Sequence, residues 1–377
     1  MLNSLSIRGY RRFDHFELHD LGRVNLLVGR NDSGKTSILE AIQLLVSGCN
    51  LEVFKNALAR RGDVVLLESS ADGHTQLAVN VKHAFHGHWA EPPLALSISG
   101  DDGGDEQLSC EFKVEPVTEK GNGSTSENSN VWHRDQGLKF ECRRGDRIGV
   151  KGFERLEEQV GLPVHARKSY MRPMIDTFEL KEFHQPSCFV PTGSFSVETA
   201  GELFQDIALT PDEDRVVSLL QTIEPEVVRI GFVHNTTRWE QFPKGRAGFV
   251  LKLRNGDKPI SMATLGEGAW RILALSLSAM KARGGVLLVD EIDTGLHFTV
   301  LDKLWMALLK LANELDIQIF ATTHSGDCVE RLAAICHDNV EAGSQVTIQR
   351  IDPEFNTAVA YTEREIIFAA DRGIEVR

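Results

Sequence analysis

The chain has 377 residues, of which 42% are hydrophobic and 25% are charged, proportions typical of a globular protein. Its formal net charge of −13 argues against a surface coated with basic residues for nucleic acid. No apolar run approaches the about 20 residues of a membrane span, and the amino terminus lacks a secretory apolar core. The six cysteines include no CxxC pair, so we expect reduced thiols in a cytoplasmic protein.

Residues 1–48 are predicted to form two strands, a glycine-rich loop and a helix. The segment 24–28, VNLLV, is an apolar run of strand length, and apolar residues then recur at helical spacing. The octet GRNDSGKT at 29–36 therefore joins a buried strand to an amphipathic helix, as a phosphate-binding loop requires. Gly29 and Gly34 permit backbone angles at which successive N–H groups turn toward an anion. The alternative is a structural turn that holds no ligand.

The side chains of this loop suit nucleotide chemistry. Lys35 can reach the β and γ phosphates, and the Thr36 hydroxyl can ligate Mg²⁺. The start of the following helix adds unpaired N–H groups and the positive end of the helix dipole. The predicted nucleotide-binding residues of this segment are Gly29, Asn31, Asp32, Ser33, Gly34, Lys35, Thr36 and Ser37.

The middle of the chain changes character. Short alternating segments between residues 64 and 145 predict strands, and polar stretches at 99–107 and 118–130 predict exposed or disordered loops. Helical patterns return at 153–160 and 200–223.

From residue 248 onward the chain alternates strand and helix compactly. The predicted fold class is therefore α/β, with a core formed by residues 1–48 and 248–377 and a central insertion of strands and helices at 49–247. We expect the insertion to belong partly to the core's own lobe and partly to face a partner. Basic clusters such as Arg60-Arg61 could contact phosphates, although pairing with the abundant acids is the simpler interpretation.

The segment GGVLLVDEIDTGLH at 284–297 predicts a buried strand that ends in two adjacent acids. Asp290 can hold Mg²⁺ through its water shell, opposite Thr36. Glu291 could polarise the attacking water as a general base. A solvated acidic turn is the alternative, which a phosphate loop upstream in the same chain disfavours.

A third apolar strand, within IQIFATTHS at 317–325, ends in polar side chains. His324 would lie at the carboxyl end of this strand, where open parallel sheets bind their ligands. It could donate a hydrogen bond to a γ-phosphate. The alternative is a histidine that is satisfied within its own loop.

The segment ATLGEGAWRILALSLSAM at 263–280 predicts a helix whose apolar residues pack on the sheet. Gly266, Glu267 and Gly268 open this helix, and a glycine-rich helix start is a second anion site. Two anion sites in one chain are explained if two chains bind nucleotide between them. Each nucleotide would then contact one site from each chain.

The order of these segments resembles the ATP-binding-cassette (ABC) ATPases. It is most similar to the stand-alone AAA_15/AAA_21 branch, which includes recombination and chromosome-maintenance ATPases and the ATPase part of overcoming-lysogenization-defect nucleases. The residues LSIRGYRRFDHFEL before the loop and DEIDTGLH at the acids carry this resemblance. It implies a P-loop ABC-type core in which Gly266–Gly268 form the signature loop, Asp293 lies in a dimer-contacting loop and His324 is the switch histidine.

The chain also departs from the family's pattern. Its signature lacks the usual serine, so the γ-phosphate contacts would come from backbone and from Gly266 or Gly268. The candidate for the glutamine-loop residue is Gln185. No long heptad run predicts coiled-coil arms, and we expect no nuclease domain after His324.

The resemblance implies an ATP-hydrolysing switch, with Glu291 and His324 as catalytic residues, that dimerises head to tail around ATP and Mg²⁺. We expect a homodimer or higher homo-oligomer that controls a separate effector, a nuclease or toxin, in bacterial anti-phage defence, with no membrane partner. The alternative is a repair or recombination ATPase that clamps DNA directly, which the net charge disfavours. A third possibility, a transporter's nucleotide-binding subunit, would usually lack such an insertion.

Overall fold

The computed structural model describes residues 1–68, 75–87, 93–104, 106–117, 136–157, 161–164, 172–173, 183–193, 195–233, 248–339 and 343–371. The helices are α1 (Lys35–Val46), α2 (Leu51–Arg60), α3 (Val197–Gln205), α4 (Pro211–Leu220), α5 (Gly266–Lys281), α6 (Phe298–Glu314), α7 (Gly326–Asp338) and α8 (Glu363–Asp371).

The strands are β1 (Ser4–Tyr10), β2 (Phe13–Leu18), β3 (Val24–Val28), β4 (Val64–Glu68), β5 (Thr75–Asn80), β6 (Leu94–Asp101), β7 (Leu108–Pro116), β8 (Gln136–Arg144), β9 (Arg147–Arg155), β10 (Gly161–Pro163), β11 (Arg172–Pro173), β12 (Ser187–Val190), β13 (Val227–Phe232), β14 (Phe249–Leu253), β15 (Ile260–Ser261), β16 (Val286–Val289), β17 (Gln318–Thr322), β18 (Val346–Arg350) and β19 (Val359–Tyr361).

The chain divides into two compact units. The phosphate-loop unit comprises residues 20–35, 186–352 and 359–377, and the antiparallel unit comprises residues 1–19, 36–185 and 353–358. The sequence-based boundaries of core and insertion stay a prediction about domains. The compact units have other boundaries, since β12, α3 and α4 belong to the phosphate-loop unit.

The centre of the phosphate-loop unit is a six-stranded sheet in the order β12-β16-β17-β3-β18-β19. All neighbours from β12 to β18 are parallel, and only β19 is antiparallel to its neighbour. Every residue of β3, β16 and β17 is buried, which is why these segments are mostly apolar and do not alternate with exposed polar residues. The carboxyl ends of the parallel strands share one edge, so Gly29, Asp290 and Thr323 all come after strands at that edge.

Helix α5 lies in the core of this unit. Its residues from Ala269 to Met280 are all buried, because the helix contacts β12, β16, α3 and α4. A helix that is covered on every side needs no polar face, which accounts for the apolar run of this segment. On α6 the core is completed by Trp305, whose indole N–H donates to the carbonyl of Cys328 at 3.3 Å.

The antiparallel unit contains a seven-stranded sheet in the order β11-β9-β8-β7-β6-β1-β2 and a three-stranded sheet in the order β10-β5-β4. Buried and half-buried residues alternate along β7, as expected for a sheet with one covered face. Helix α2 packs against this sheet through Phe54, whose ring stacks on that of Phe112 at 4.5 Å. The strands predicted between residues 64 and 145 are confirmed, and the polar stretch at 118–130 lies outside the described residues.

Two expectations from the sequence need correction here. The helix expected at 153–160 is wrong at its start, because residues 153–155 belong to β9 and pair with β8, while residues 158–160 lie outside the described residues. Cross-strand pairing thus overrides the helical pattern of the local sequence. The expectation of reduced thiols throughout is also wrong, because Cys49 and Cys110 form a disulfide with 5.6 Å between their Cα atoms.

The helical pattern at 200–223 is confirmed by α3 and α4. Both helices begin at side-chain caps, since Ser196 accepts from the N–H of Thr199 and Thr210 accepts from that of Asp212. Among the helices in the described part of the chain, none combines the length and apolarity needed to cross a bilayer.

Candidate functional site

The glycine-rich loop connects β3 to α1, as predicted. Gly29 has a φ of +145°, and a Cβ there would lie 2.3 Å from the carbonyl oxygen of Ile351. Gly34 has a φ of +97° directly before the first residue of α1. Both positions therefore require glycine, one for close backbone approach and one for the turn into the helix.

The residues between these glycines form the turn of the loop. Asn31 and Asp32 are exposed, and Asp32 is left-handed with a φ of +60°. Ser33 is fully buried, and its N–H donates to the carbonyl of Arg30 at 3.2 Å. The loop therefore presents its tip to solvent while its base is fixed.

Lys35 is the first residue of α1, and its side chain is 5% exposed. Its Nζ donates to the carbonyl oxygens of Gly29 at 2.8 Å and Arg30 at 2.9 Å, and lies 3.4 Å from the hydroxyl of Ser33. The ammonium therefore crosses the mouth of the loop and lies where an anion held by the loop would meet it.

Burial lowers the pKa of Lys35 from its ordinary value of 10.5 to about 8. The carboxylates of Asp290 and Glu291 act in the opposite direction and favour the charged form. This lysine is therefore partly neutral just above neutral pH unless an anion binds beside it.

His324 faces the loop from the end of β17. Its Nδ1 lies 3.5 Å from Nζ of Lys35. Between the two loops is an open cleft of about 490 Å³, lined by Val28, Gly29, Arg30, Asn31, Thr323, His324, Ser325 and Val329. The structure thus brings together the phosphate loop and the histidine that the sequence placed 289 positions apart.

The two acids after β16 are held by hydroxyl groups. Asp290 accepts through Oδ1 from Oγ1 of Thr322 at 2.8 Å and through Oδ2 from Oγ1 of Thr192 at 3.2 Å. Glu291 is left-handed with a φ of +48°, and its N–H donates to Oγ1 of Thr322 at 2.8 Å. Its carboxylate accepts from the hydroxyl of Thr294 at 3.1 Å. Strained backbone held by several partners is typical of functional sites.

Arg271 reaches this strand end from α5. It is 1% exposed and donates to the carbonyl oxygens of Asp290 at 2.6 Å, Glu291 at 2.8 Å and Pro191 at 2.6 Å. Burial lowers the pKa of Arg271 to about 10, although nearby acids oppose this shift. The helix that begins at the predicted signature loop is therefore joined by charged hydrogen bonds to the backbone of both acids.

The predicted signature loop opens α5. Gly266 is the first helical residue, with a φ of +79°, and Glu267 lies in the first turn. A Cβ on Gly268 would lie 3.2 Å from the carbonyl oxygen of Gly295. The predicted signature loop thus packs against the loop that contains Asp293, and no side chain of the preceding residue, Leu265, caps the helix.

Thr36 and Ser37 continue the first turn of α1 and belong to the antiparallel unit. The hydroxyl of Ser37 accepts from Nη2 of Arg61 at 3.0 Å. Nε of Arg61 also contacts a carboxylate oxygen of Glu40 at 3.1 Å, and Glu40 is 1% exposed. In the Arg60-Arg61 cluster, Arg61 therefore pairs with an acid.

Gln185 lies at the wrong edge of the sheet to be the glutamine-loop residue. It precedes β12, which runs parallel to β16, whereas the site lies beyond the carboxyl ends of these strands. Thr192 comes after β12 at the site edge and contacts Asp290. Sequence reasoning missed Thr192 and Arg271. The polar residue shortly after an apolar strand could have indicated Thr192, but no local signal marks Arg271 within its apolar helix.

Within the described residues, no group of three or more His, Cys, Asp or Glu side chains is arranged to hold a metal ion. The acids of the site instead have hydroxyl and backbone partners. A cation here would need oxygen ligands from elsewhere, as Mg²⁺ commonly takes from substrate phosphates.

Two family models match the chain. The model described as "AAA ATPase domain" matches residues 1–132, and the model described as "AAA domain, putative AbiEii toxin, Type IV TA system" matches residues 160–327. Together the two models cover parts of the predicted core and parts of the predicted insertion.

An ATP/GTP phosphatase of Helicobacter pylori is 17% identical over 344 residues, which are 90% of this chain and 89% of that protein. The DNA replication and repair protein RecF of Nitrosococcus oceani is 53% identical over 47 residues. Those residues are 12% of this chain and 13% of that protein, so this similarity is local.

Two solved structures of SMC heads are similar to the chain. One, bound to the C-winged helix domain of ScpA, has a TM-score of 0.47 and 12% identity, covering 96% of this chain and 98% of that one. The other has an extended coiled coil bound to the C-terminal domain of ScpA derived from Pyrococcus furiosus, with a TM-score of 0.46, 9% identity and coverage of 99% of both chains.

Proposed function

We propose that this chain, a stand-alone ABC-type ATPase of the AAA families, is a molecular switch that closes head to tail around ATP and thereby controls a separate effector protein. The observation that carries the proposal is the 3.5 Å approach of Nζ of Lys35 to Nδ1 of His324, a residue that lines the cleft together with Gly29, Arg30 and Asn31 of the loop. This cleft lies at the carboxyl edge of a parallel sheet, where such folds bind their ligands.

ATP binds with its phosphates in the loop from Gly29 to Gly34. Backbone N–H groups of the loop and of the first turn of α1 donate to phosphate oxygens, and Lys35 supplies a positive charge. Lys35 must exchange its carbonyl partners in the loop for phosphate, so nucleotide binding also changes the restraints on the loop. Asn31 and Asp32 at the exposed tip would contact the rest of the nucleotide.

Mg²⁺ would be held by the Thr36 hydroxyl and by Asp290 through water. Bound to the phosphates, it would neutralise negative charge that develops during phosphoryl transfer. The donor set fits a hard cation, because it consists of a hydroxyl oxygen and a carboxylate. The hydroxyl groups of Thr322 and Thr192 donate to the Asp290 carboxylate and hold it in one orientation.

Glu291 accepts a proton from the attacking water, and His324 donates a hydrogen bond to the γ-phosphate. The left-handed backbone of Glu291 and its bonds to Thr322 and Arg271 fix the direction in which its side chain leaves the strand end. Such restraint is what a general base needs, since proton transfer depends on geometry before pKa.

Assembly of the dimer would depend on the start of helix α5. The N–H of Gly266 donates to the carbonyl of Ala263, so the donors at the start of α5 would be the N–H groups of Glu267 and Gly268. In a two-fold head-to-tail dimer they would meet the γ-phosphate held by the other subunit. ATP would favour the closed dimer through contacts that ADP lacks, and hydrolysis would release it. The part of the antiparallel unit within residues 49–185 would then face the effector.

The assembly is tested by mixing two inactive variants. Gly268→Asp places a carboxylate against the partner's γ-phosphate, and Lys35→Ala removes the phosphate-binding cation. A mixed dimer has one doubly defective site and one intact site, so random pairing should restore about a quarter of wild-type ATPase activity if the sites act independently. Gly268→Ala is the matched control, because it brings the same Cβ to 3.2 Å from the carbonyl oxygen of Gly295 without the negative charge. Full activity of Gly268→Asp alone would refute the shared site.

The effector role is tested by co-purification with the products of neighbouring genes. Glu291→Gln with ATP should retain the effector as a trapped complex, whereas Lys35→Ala should not. The anti-phage role predicts a nuclease or toxin among the retained proteins. Retention of duplex DNA instead of a protein would favour the repair or recombination ATPase, which the local RecF similarity keeps as the second candidate.

A further inference from the structure

Two adjacent buried threonines lie directly before His324, since Thr322 is the last residue of β17 and Thr323 follows it. Each is 1% exposed. Their hydroxyl groups bond to different carboxylates, those of Asp290 and Asp293. We propose that Thr322 and Thr323 are positioning residues that connect the His324 loop separately to the hydrolytic acids and to the Asp293 loop.

The Thr322 hydroxyl makes two bonds to the acid pair. It donates to Oδ1 of Asp290 at 2.8 Å and accepts from the N–H of Glu291 at 2.8 Å. One oxygen atom thus orients the carboxylate of the first acid and holds the left-handed backbone of the second. The carbonyl of Thr322 also accepts from the N–H of Ile292 at 2.9 Å, which continues the contact beyond the acids.

The Thr323 hydroxyl also donates one hydrogen bond and accepts another, but its partners are Asp293 and Ser325. It donates to Oδ1 of Asp293 at 2.6 Å and accepts from the N–H of Ser325 at 3.0 Å. Ser325 caps α7 by accepting from the N–H of Cys328 at 3.2 Å. His324 therefore lies between Thr323, which is bonded to Asp293, and Ser325, which caps α7.

Because Thr322 and Thr323 directly precede His324, a displacement of the His324 backbone would be transmitted to both acidic segments. A displacement of His324 by phosphate would shift the Thr322 hydroxyl against Asp290 and Glu291, and the Thr323 hydroxyl against Asp293. The inference rests on the proposed roles of these acids and assigns the two couplings to two side chains. Thr322 acts on hydrolysis, and Thr323 acts on assembly.

Thr322 is tested with Thr322→Val, which keeps the shape of the side chain and removes the hydroxyl. We expect kcat to fall about 10- to 100-fold, the range for losing hydrogen bonds to a charged group, while KM stays within about twofold of wild type. Thr322→Ser should recover most of kcat, because it restores the hydroxyl. A fluorescent ATP analogue should bind both variants with wild-type affinity.

The matched control is Thr347→Val. Thr347 is a buried threonine in β18 of the same sheet, and its hydroxyl donates to the side chain of Asn25 at 2.8 Å, away from the acids. Loss of stability from removing a buried hydroxyl should be similar for both positions, but only Thr322→Val should lower kcat.

Thr323 is tested through assembly. Thr323→Val should weaken ATP-dependent dimerisation about tenfold, measured by analytical ultracentrifugation with and without ATP, while ATP binding to the monomer is unchanged. Thr323→Ser should dimerise as wild type does. Wild-type dimerisation of Thr323→Val would overturn its assigned role.

The failure of this inference is distinguishable from the failure of the proposed function. If Glu291→Gln is inactive and Thr322→Val loses no more kcat than Thr347→Val, the role of Thr322 is wrong while that of Glu291 stands. If Glu291→Gln turns over ATP at the wild-type rate, the role of Glu291 itself is wrong, and the role of Thr322 falls with it.

Discussion

Nζ of Lys35 lies 3.5 Å from Nδ1 of His324, although 289 positions separate them in the chain. The reason is the strand order, because β3 and β17 are parallel neighbours and their carboxyl ends meet at one edge. A cation and an imidazole are thereby brought together beside the cleft that His324 lines, and we propose that both contact the same terminal phosphate.

Removing the cation should abolish nucleotide binding. Lys35→Ala deletes the ammonium that crosses the mouth of the loop, and we expect at least about a 100-fold loss of ATP affinity by calorimetry. Lys310→Ala is the control, since Lys310 is a lysine with a 74% exposed side chain on α6. Retention of wild-type affinity by Lys35→Ala would place the phosphates elsewhere.

Replacing the proposed general base should separate ATP binding from ATP hydrolysis. Glu291→Gln keeps the size of the side chain but removes its ability to accept a proton, so turnover should fall about 100- to 10,000-fold with ATP affinity preserved. Steady-state phosphate release and equilibrium binding measure the two effects. Glu330→Gln on the exposed face of α7 should leave both unchanged.

ATP binding should take up a proton above pH 8. The pKa of Lys35 is lowered to about 8 by burial, so the free protein is neutral at Lys35 at higher pH, whereas bound phosphate favours the ammonium. Affinity should therefore fall by up to about tenfold per pH unit as pH rises above 8. Calorimetry at pH 9 in two buffers of different ionisation enthalpy measures the proton uptake.

The lowered pKa of Lys35 also makes the free energy of unfolding depend on pH. Between about pH 8 and 10.5 the unfolded chain keeps a proton on Lys35 that the folded chain has lost, so the contribution of Lys35 to the free energy of unfolding rises with pH in that window. Lys35→Arg should stay protonated at pH 9, because even strong burial lowers the pKa of a guanidinium only to about 10, as at Arg271. If Lys35→Arg shows the same proton uptake on binding ATP, another group is responsible.

The disulfide should be detectable by counting thiols. Cys142, Cys188, Cys328 and Cys336 are free, so denatured but unreduced protein should react with four equivalents of a thiol reagent, and with six after reduction. Closing a loop of 61 residues should stabilise the fold by about 4 kcal/mol in the chain-entropy model, and reduction should lower Tm accordingly. Six reactive thiols before reduction would restore the expectation of reduced cysteines.

Local pattern in the sequence was sufficient for the elements that carry the site. An apolar run that leads into glycine and lysine, and a second run that leads into two acids, each predict a strand and the polar loop after it, because burial and backbone freedom act on neighbouring residues. The positions of the glycine-rich loop, Asp290, Glu291 and His324 after buried strands were predicted in this way, and the α/β class is evident from the alternation of strands and helices.

The tertiary structure alone decided which of these elements meet. Strand order places β17 between β16 and β3, so the hydroxyl of Thr322 reaches Asp290 and His324 faces Lys35. It also places Gln185 at the opposite edge and brings Arg271 from the middle of an apolar helix to the carbonyls of both acids. The pairing of Cys49 with Cys110 likewise joins distant segments. Each of these contacts joins residues that lie far apart in the chain, so the local periodicity of the sequence cannot predict them.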